Sequence, residues 1–244
     1  MIIDCELYYH GAEAPGGSEG LSVEQLDALC RDAGVDRAVL MPSPTFRPRN
    51  RLVADALRAA PTARERFVGC ALVNPHFGED AVAELETAVR EWGFRCAKLM
   101  PTLHAVNLVG RLAHPVMSKA RDLGVPVTIH SADSPAHPLE IGVLAEAFPD
   151  VPVIMDHMGY RNHTGAAIAA ARRAPNVYLM TTAVMEPHVV RDAVQVLGAD
   201  RVLFGSNGPS VPPAIQLLVI RQAGLGPADE RKVLGENAAR LLRL

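Results

Sequence analysis

The chain has 244 residues, 49% of them hydrophobic, and its 24 basic and 27 acidic residues leave a formal net charge of −3. That length can bury one large core, whereas the near balance of charge gives no basic field for a nucleic acid or an anionic membrane, so neither is expected as a partner. The N-terminus shows no basic and apolar leader, and no stretch is long enough to cross a bilayer, which predicts a cytoplasmic protein.

Eight short apolar runs alternate along the chain with Ala- and Leu-rich amphipathic segments. Such runs are typical of buried strands, and the segments between them are typical of helices. The predicted strands are IIDCEL (2–7), RAVLMP (37–42), RFVGCALVNP (66–75), RCAKLMP (95–101), PVTIHSA (126–132), PVIMDHMG (152–159), NVYLMTT (176–182) and RVLFGSNGP (201–209). Eight apolar strands that each precede a helix predict a parallel sheet closed into one α/β domain, residues 1–244, with the (β/α)8 TIM-barrel fold.

The ends of two predicted helices can be read from the sequence. Ser22, with Gln25 three residues later, resembles a capping box, and Gly34 closes that segment. Asn50 precedes a second helical segment that Pro61 stops. These signals support the alternation of strands and helices.

The main alternative to a barrel is an open, doubly wound sheet. Such a sheet normally carries a G-x-G-x-x-G loop after its first strand, immediately before a helix. Residues 11–17 are rich in glycine but lack that spacing and do not lead directly into a helix. The barrel is therefore the predicted fold.

Polar residues stand near the ends of most predicted strands, where the strands of a barrel form an active site. They are Glu6 and Tyr8, Lys98, His130, Asp156 and His157, Thr181 and Thr182, and Ser206 and Asn207. Side chains alternate along a strand, so Asp4, Glu6 and Tyr8 should share a face. The same alternation points Asp156 away from His157, toward backbone or a neighbouring helix.

These residues also have purely structural interpretations. A histidine after an apolar strand is often a satisfied core or loop residue, but His130 and His157 follow successive strands. Lys98 could be a lysine that snorkels at the rim of the barrel. Its place at the end of a buried strand instead predicts a carboxylate partner, Glu6 or Asp4, because a buried unpaired ammonium is costly.

Five short segments carry recognisable motifs in chain order. They are IIDCELY (2–8), VTIHSA (127–132), MDHMG (155–159), RVLFGSNGP (201–209) and GENAARLL (235–242). In that order they resemble the strand-one D-x-H-x-H, the strand-five histidine, the H-x-G of strand six, the G-S-D-x-P of strand eight and the terminal helix of the amidohydrolase superfamily. Within it they are similar to the amidohydrolase-related branch, which includes aminocarboxymuconate-semialdehyde decarboxylase-like and pyrone dicarboxylate lactonase-like enzymes.

The resemblance implies roles for five residues. It gives Glu6 and Tyr8 the strand-one metal-ligand positions and His130 the strand-five ligand position. It gives His157 the role of strand-six ligand or general base, and Asn207 the place of the strand-eight aspartate. Because phenolic and amide oxygens are weak ligands, we expect Glu6, His130 and His157 to hold one divalent ion. Zinc is expected first, with iron or manganese as alternatives.

Four functions follow. The first is a metal-dependent hydrolase of an ester, lactone, thioester or amide, in which His157 or Glu6 moves the proton. The second is a metal-free lactonase or hydrolase whose polar groups polarise the substrate through hydrogen bonds. The catalytic candidates in these two cases are His157, Asn207, Lys98, Tyr8 and His130. The third is a non-haem iron oxygenase, which uses two histidines and one carboxylate, and the fourth is a binding protein without catalysis.

The predicted barrel mouth suggests the class of substrate. It would be formed by LYYH (7–10), MPTLH (100–104) and TTAVM (181–185), and four arginines stand nearby in the sequence: Arg47, Arg49, Arg51 and Arg161. This mixture suits a small, mostly apolar molecule that carries a carboxylate or a similar anion. The sequence leaves homo-oligomerisation open.

Overall fold

Eight parallel strands follow one another around a single sheet in chain order, each joined to the next through a helix, in a computed structural model that describes residues 1–11, 20–60, 65–160 and 162–244. The strands are β1 (Ile3–Tyr9), β2 (Arg37–Pro42), β3 (Phe67–Val73), β4 (Cys96–Leu99), β5 (Val127–Ile129), β6 (Val153–Met155), β7 (Val177–Met180) and β8 (Val202–Leu203). Backbone contacts close the sheet after β8, where the N–H of Tyr8 donates to the carbonyl of Gly208 at 2.7 Å. The predicted (β/α)8 TIM barrel is confirmed.

Helices cover the outside of the barrel. They are α1 (Val23–Ala33), α2 (Asn50–Ala59), α3 (Glu79–Arg90), α4 (Pro101–His104), α5 (His114–Leu123), α6 (Pro138–Ala147), α7 (Thr164–Arg173), α8 (Pro187–Leu197), α9 (Pro213–Gln222), α10 (Pro227–Arg231) and α11 (Asn237–Leu242), with a π-helical turn at Lys232–Glu236. None of these helices in the described ranges combines the length and the apolar character needed to cross a bilayer.

The two predicted helix starts have different outcomes. The capping box is confirmed, because the Ser22 hydroxyl accepts the N–H of Gln25 while the Gln25 side chain accepts the N–H of Ser22. Asn50, in contrast, lies inside α2 rather than capping it. Its amide bonds to both backbone groups of Leu72, each at 2.8 Å, and so ties α2 to β3. Pro61, Arg161 and residues 12–17 of the glycine-rich stretch lie outside the described residues.

The apolar core has two layers. The larger one fills the space between the strands and the surrounding helices. The smaller one fills the barrel itself and is closed at the amino-terminal end of the strands by Ala238 and Leu242 of α11, which confirms the predicted closing helix. Its strand residues are Ile3, Cys5, Tyr8, Val39, Met41, Cys70, Cys96, Ile154, Met180 and Leu203. We call this smaller layer the barrel interior.

Gly69 in β3 should be intolerant of any side chain. A Cβ added there would lie 2.2 Å from two ring carbons of Phe94, which is fully buried. We therefore expect Gly69→Ala to lower the free energy of unfolding by about 3 kcal/mol, the upper end of the usual cost of overpacking. Urea denaturation measures this. Gly165→Ala in α7, where nothing lies within 4 Å, is the control, and equal stabilities of the two variants would contradict the prediction.

Candidate active site

A cavity of about 980 Å³ opens at the carboxyl ends of the strands. Its lining mixes imidazole, aromatic, sulfur and amide groups, including Tyr8, His10, Met100, His130, His157, Tyr160, Met185, His188 and Asn207. This is the end of a TIM barrel at which active sites form. The two strand-end histidines predicted from the sequence are thus brought to one cavity.

A tight turn after β6 controls the direction of Asp156 and His157. The strand ends at Met155, and residues Asp156–Gly159 form a short helical turn in which His157 has φ 54° and Met158 has φ 48°. Left-handed backbone at two consecutive residues breaks the alternation of a strand. The prediction that Asp156 points away from His157 is therefore wrong, since both side chains reach the same site.

Three donor atoms converge beside the cavity: two belong to the lining residues His130 and His157, and one belongs to the fully buried Asp156 next to them. We call this group the floor of the cavity. His157 Nε2 lies 3.1 Å from His130 Nδ1, and Asp156 Oδ2 lies 3.5 Å from His130 Nδ1 and 3.6 Å from His157 Nε2. In the described part of the chain, this is the group of histidine, cysteine and acidic side chains whose geometry could hold a metal ion. Glu6, which the sequence predicted as the third ligand, is outside this group. Its role as a metal ligand stays a prediction.

The backbone after β7 determines that Nδ1 of the His157 ring carries a proton. His157 Nδ1 lies 3.0 Å from the carbonyl oxygen of Thr182, and the backbone N–H of His157 donates to the Thr182 hydroxyl at 2.9 Å. A carbonyl oxygen only accepts, so Nδ1 carries a proton. In the neutral ring, Nε2 then has its lone pair directed at His130 and Asp156, the arrangement that metal-binding histidines use.

Lys98 lies beneath the cavity and bridges two carboxylates. Its Nζ donates to Glu6 Oε2 at 2.7 Å and also to Asp156 Oδ2, and all three side chains are at most 1% exposed. The predicted pairing of Lys98 with Glu6 is confirmed, and Asp156 is a second partner that the sequence analysis missed. Lys98 does not line the cavity, so the structure does not bring it to the surface where a substrate would lie.

Lys98 and its two carboxylate partners stabilise one another's charged forms. Burial acts to lower the pKa of Lys98, but the carboxylates of Asp156 and Glu6 outweigh it and hold that pKa well above its ordinary value. Burial likewise acts to raise the pKa of Asp156, and His157, Lys98 and His130 together hold it well below its ordinary range. The Lys98 ammonium and the Asp156 carboxylate are therefore both charged at neutral pH.

Strand β1 contains an irregularity that separates Asp4 from the site. Its pairing with β2 shifts register between Asp4 and Leu7, so Cys5 and Tyr8 belong to the barrel interior while Leu7 packs in the outer layer. Asp4 consequently does not share the face of Glu6 and Tyr8, which corrects the prediction from alternation. Tyr8 lines the cavity, and its hydroxyl donates to Glu6 Oε1 at 3.2 Å.

Asn207 lies in the cavity wall beyond the end of β8. The strand stops at Leu203, and Asn207 has φ 72°, a left-handed conformation that asparagine tolerates better than most residues. Its backbone N–H donates to the carbonyl of Glu6 at 3.1 Å. The structure thus places Asn207 next to β1 at the cavity, as the family pattern implies.

His10 lines the cavity, in line with the place of LYYH (7–10) at the predicted barrel mouth, but the sequence analysis did not name it as a catalytic or metal-binding candidate. It is 8% exposed, and its Nδ1 is hydrogen-bonded to the hydroxyl of Ser43 after β2. Burial, with a smaller contribution from Arg49, lowers the pKa of His10, so its ring is neutral at pH 7. Its position two residues after Tyr8, at the end of a strand, is the signal that could have identified it.

The arginines expected at the barrel mouth have other contacts. Arg47 stacks over the ring of Phe77 at 5.0 Å, and Arg51 pairs with Asp55 on α2 at 2.9 Å. No arginine or lysine of the described residues is among those lining the cavity. Among the described residues, the neutral or cationic groups at the cavity that could bond an anion are imidazoles, amides and hydroxyls; Arg161 lies outside the described residues.

Asp4 should make stability depend on pH. Burial raises its pKa from 3.8 to about 7, despite hydrogen bonds from Ser206 and Glu6, and its Oδ2 has no partner among the described residues. A carboxyl whose pKa is raised on folding stabilises the protein below the unfolded pKa and loses that contribution as pH rises toward 7. From pH 5 to pH 8 the free energy of unfolding should therefore fall by roughly 2 to 3 kcal/mol through Asp4.

Urea denaturation of Asp4→Asn at both pH values tests this expectation. In Asp4→Asn, most of this decrease in the free energy of unfolding between pH 5 and pH 8 should disappear. The control Asp122→Asn, at an exposed residue, should show the same decrease as the wild type. An unchanged pH dependence in Asp4→Asn would show that Asp4 is ionised in the folded protein across this range.

Comparisons with known proteins agree with the barrel fold. A gamma-resorcylate decarboxylase of Polaromonas sp. (strain JS666) is 25% identical over 252 residues, covering 82% of this chain and 76% of the relative. The structure of a 2,6-dihydroxybenzoate decarboxylase complexed with 2,6-dihydroxybenzoate has a TM-score of 0.80 at 18% identity and covers 99% of this chain and 98% of its own. That of a dihydroxybenzoic acid decarboxylase from Polaromonas sp. JS666, with bound manganese and the inhibitor 2-nitroresorcinol, has a TM-score of 0.77 at 19% identity, covering 100% and 97%.

The family is identified by a match between the amino-acid sequence and a model of the family. The model of the amidohydrolase family matches residues 9–244, from the end of β1 through the closing helix. The match includes four of the five motifs that carried the resemblance, and the first, IIDCELY (2–8), lies before it. This chain belongs to the amidohydrolase family.

Proposed function

We propose that this chain is a metal-dependent decarboxylase of a small aromatic acid. The observation that carries the proposal is the convergence of His130, Asp156 and His157 at the floor of the cavity. The substrate class is supported by the relatives, whose names are those of decarboxylases of gamma-resorcylate and 2,6-dihydroxybenzoate. The aromatic and methionine side chains of the wall, Tyr8 and Met100 among them, suit an aromatic ring.

The three donor atoms fit a divalent ion. A tetrahedral ion with bonds of about 2.1 Å needs donor atoms about 3.4 Å apart. The separations among His130 Nδ1, His157 Nε2 and Asp156 Oδ2 are 3.1 Å, 3.5 Å and 3.6 Å. Two imidazoles with one carboxylate suit zinc, and the manganese in one relative makes manganese the second ion to test. A bound ion would polarise an oxygen of the substrate and stabilise the negative charge that develops on it.

Decarboxylation also suits the residue that replaces the strand-eight aspartate. The reaction breaks a carbon–carbon bond, releases carbon dioxide and puts a proton on the carbon, so it consumes no water. The amide of Asn207 cannot take a proton from water as a carboxylate does, but it can donate a hydrogen bond to a substrate oxygen. The reaction therefore needs only a cation and a proton donor. His188 lines the cavity wall and is a candidate for holding that proton.

A metal-free hydrolase of a lactone or ester is the second candidate. It is favoured by the hydrogen bond of 3.1 Å between His157 and His130, which is complete without an ion, and by Lys98, which already neutralises part of the buried negative charge. In that case the two imidazoles share a proton beside Asp156 and act as the general acid and base. This metal-free hydrolase is the second of the four functions predicted from the sequence.

The experiment compares two substrate classes with and without metal. Protein stripped with a chelator is reloaded with Zn²⁺ or Mn²⁺ and incubated with 2,6-dihydroxybenzoate, its positional isomers, and a set of aryl lactones and esters. We expect carbon dioxide release from a hydroxybenzoate to rise at least tenfold on reloading, since the ion stabilises the developing charge. Lactone opening at equal rates with and without metal, and no carbon dioxide from any acid, would favour the second candidate.

A further inference from the structure

We propose that the Lys98 ammonium is a built-in cation that occupies the cleft between Glu6 and Asp156, so that Glu6 is not a ligand of the metal ion. This rests on the proposed function only in taking His130, Asp156 and His157 as the metal-binding group. It assigns Lys98 and Glu6 a role in setting how tightly the site binds metal. It also explains why the carboxylate of strand β1 lies outside the donor group.

Both oxygens of Glu6 are already engaged by the protein. Oε2 accepts from Lys98 Nζ at 2.7 Å, and Oε1 accepts from the Tyr8 hydroxyl at 3.2 Å. Glu6 and Lys98 are at most 1% exposed, so water does not compete for these bonds. A metal ion could recruit Glu6 only by displacing the ammonium, and Lys98 would then keep one carboxylate partner, Asp156, which the ion also needs as a ligand.

Lys98 and the metal-binding group share one atom. Asp156 Oδ2 accepts from Lys98 Nζ and is also the oxygen that lies near both imidazoles. An ion at that oxygen and the ammonium bonded to it would repel each other in a buried setting, where screening is weak. Metal affinity is therefore lower than the two histidines and the carboxylate alone would give.

Removing the ammonium should convert the cluster into a four-ligand site. Without Lys98, Glu6 and Asp156 are two buried carboxylates that both border the space that Nζ fills, with no cation there. Two carboxylates with two imidazoles make up a complete coordination set for a divalent ion. The gain in affinity should then depend on Glu6, because Glu6 becomes available as a ligand only in that variant.

Four proteins form a double-mutant cycle: wild type, Glu6→Gln, Lys98→Met and the double variant. Free Mn²⁺ is measured by electron paramagnetic resonance during titration, and bound metal is counted by mass spectrometry. We expect Glu6→Gln to change Mn²⁺ affinity by less than about threefold, Lys98→Met to tighten it by at least about tenfold, and the double variant to lose that gain. The control is Lys119→Met, which removes the half-buried lysine that pairs with Glu86 at 2.8 Å, and it should change nothing.

Two outcomes would overturn the proposal. One is loss of Mn²⁺ from Glu6→Gln, which keeps Lys98 and needs no new packing. The other is unchanged Mn²⁺ affinity, or no binding at all, in a Lys98→Met protein whose circular dichroism and melting curve show that it is folded. Binding by Lys98→Met but not by wild type would support the proposal. Failure of every acid to release carbon dioxide would overturn the proposed function while leaving this binding pattern unaffected.

Discussion

Replacing His157 with alanine is expected to lower kcat by more than about a hundredfold, the usual scale for losing a metal ligand or a general acid–base group. The His157 ring is held by Thr182 at Nδ1, and its Nε2 lies 3.1 Å from His130 Nδ1. Removing the ring takes away one of three donor atoms and leaves His130 without its neighbour. The rate of carbon dioxide release from the best hydroxybenzoate, measured at saturating metal, checks the prediction.

Two controls separate this effect from damage to the fold. His76→Ala removes an exposed histidine after β3 and should leave kcat unchanged. His157→Gln keeps a side chain that can bond Thr182 but offers no imidazole, and it should be nearly as impaired as the alanine variant. An alanine variant with more than half of the wild-type kcat would remove His157 from the reaction, whatever its metal content.

The fold could be predicted because its signal is repeated. Each of the eight strands is a short apolar run that ends before a helix. An error in the bounds of one strand would not have changed the number of strands, which is what indicates the barrel. The terminal helix was predicted from the resemblance of GENAARLL (235–242) to the terminal helix of the family, and the structure places it at the amino-terminal end of the barrel. There Ala238 and Leu242 pack against the barrel interior.

The partner of Lys98 could also be predicted, because the reason is energetic rather than geometric. A lysine at the end of a buried strand needs a carboxylate wherever the chain can supply one. Glu6 on β1 was one of the two carboxylates predicted as the partner, and in the structure Lys98 Nζ lies 2.7 Å from Glu6 Oε2. The energetic argument requires at least one partner, however, and does not reveal that Asp156 is a second.

Asp156 was missed because its direction depends on a local backbone conformation. A strand that continued to Gly159 would send Asp156 and His157 to opposite faces. The chain instead turns after Met155, with positive φ at His157 and Met158, and neither residue type signals such a turn. A similar irregularity in β1, between Asp4 and Leu7, changed which residues face the interior. Alternation predicts side-chain directions only as far as the strand stays regular.

Replacing Asp156 with asparagine is expected to weaken Mn²⁺ binding by at least about tenfold and to lower kcat by at least about a hundredfold. Asparagine has nearly the same shape, so its oxygen can still accept from the N–H of Ser131, which Asp156 Oδ1 does at 2.7 Å. What the substitution removes is the negative charge at Oδ2, the atom that both imidazoles and Lys98 approach. An amide oxygen is a weaker metal ligand than a carboxylate, and an amide nitrogen at that position would repel Lys98.

The matched control is Asp133→Asn, because Asp133 also pairs with a histidine but does so at the surface. Its Oδ1 lies 2.7 Å from His163 Nε2, and its side chain is 91% exposed. Water screens such a pair, so its loss should change neither metal affinity nor kcat. Asp156→Asn should in addition unfold at lower urea concentration, since removing one partner of a buried ion pair leaves Lys98 partly uncompensated. If Asp156→Asn kept both wild-type Mn²⁺ affinity and wild-type kcat while remaining folded, the floor of the cavity would not be the metal site, and the search would move to the histidines of its walls.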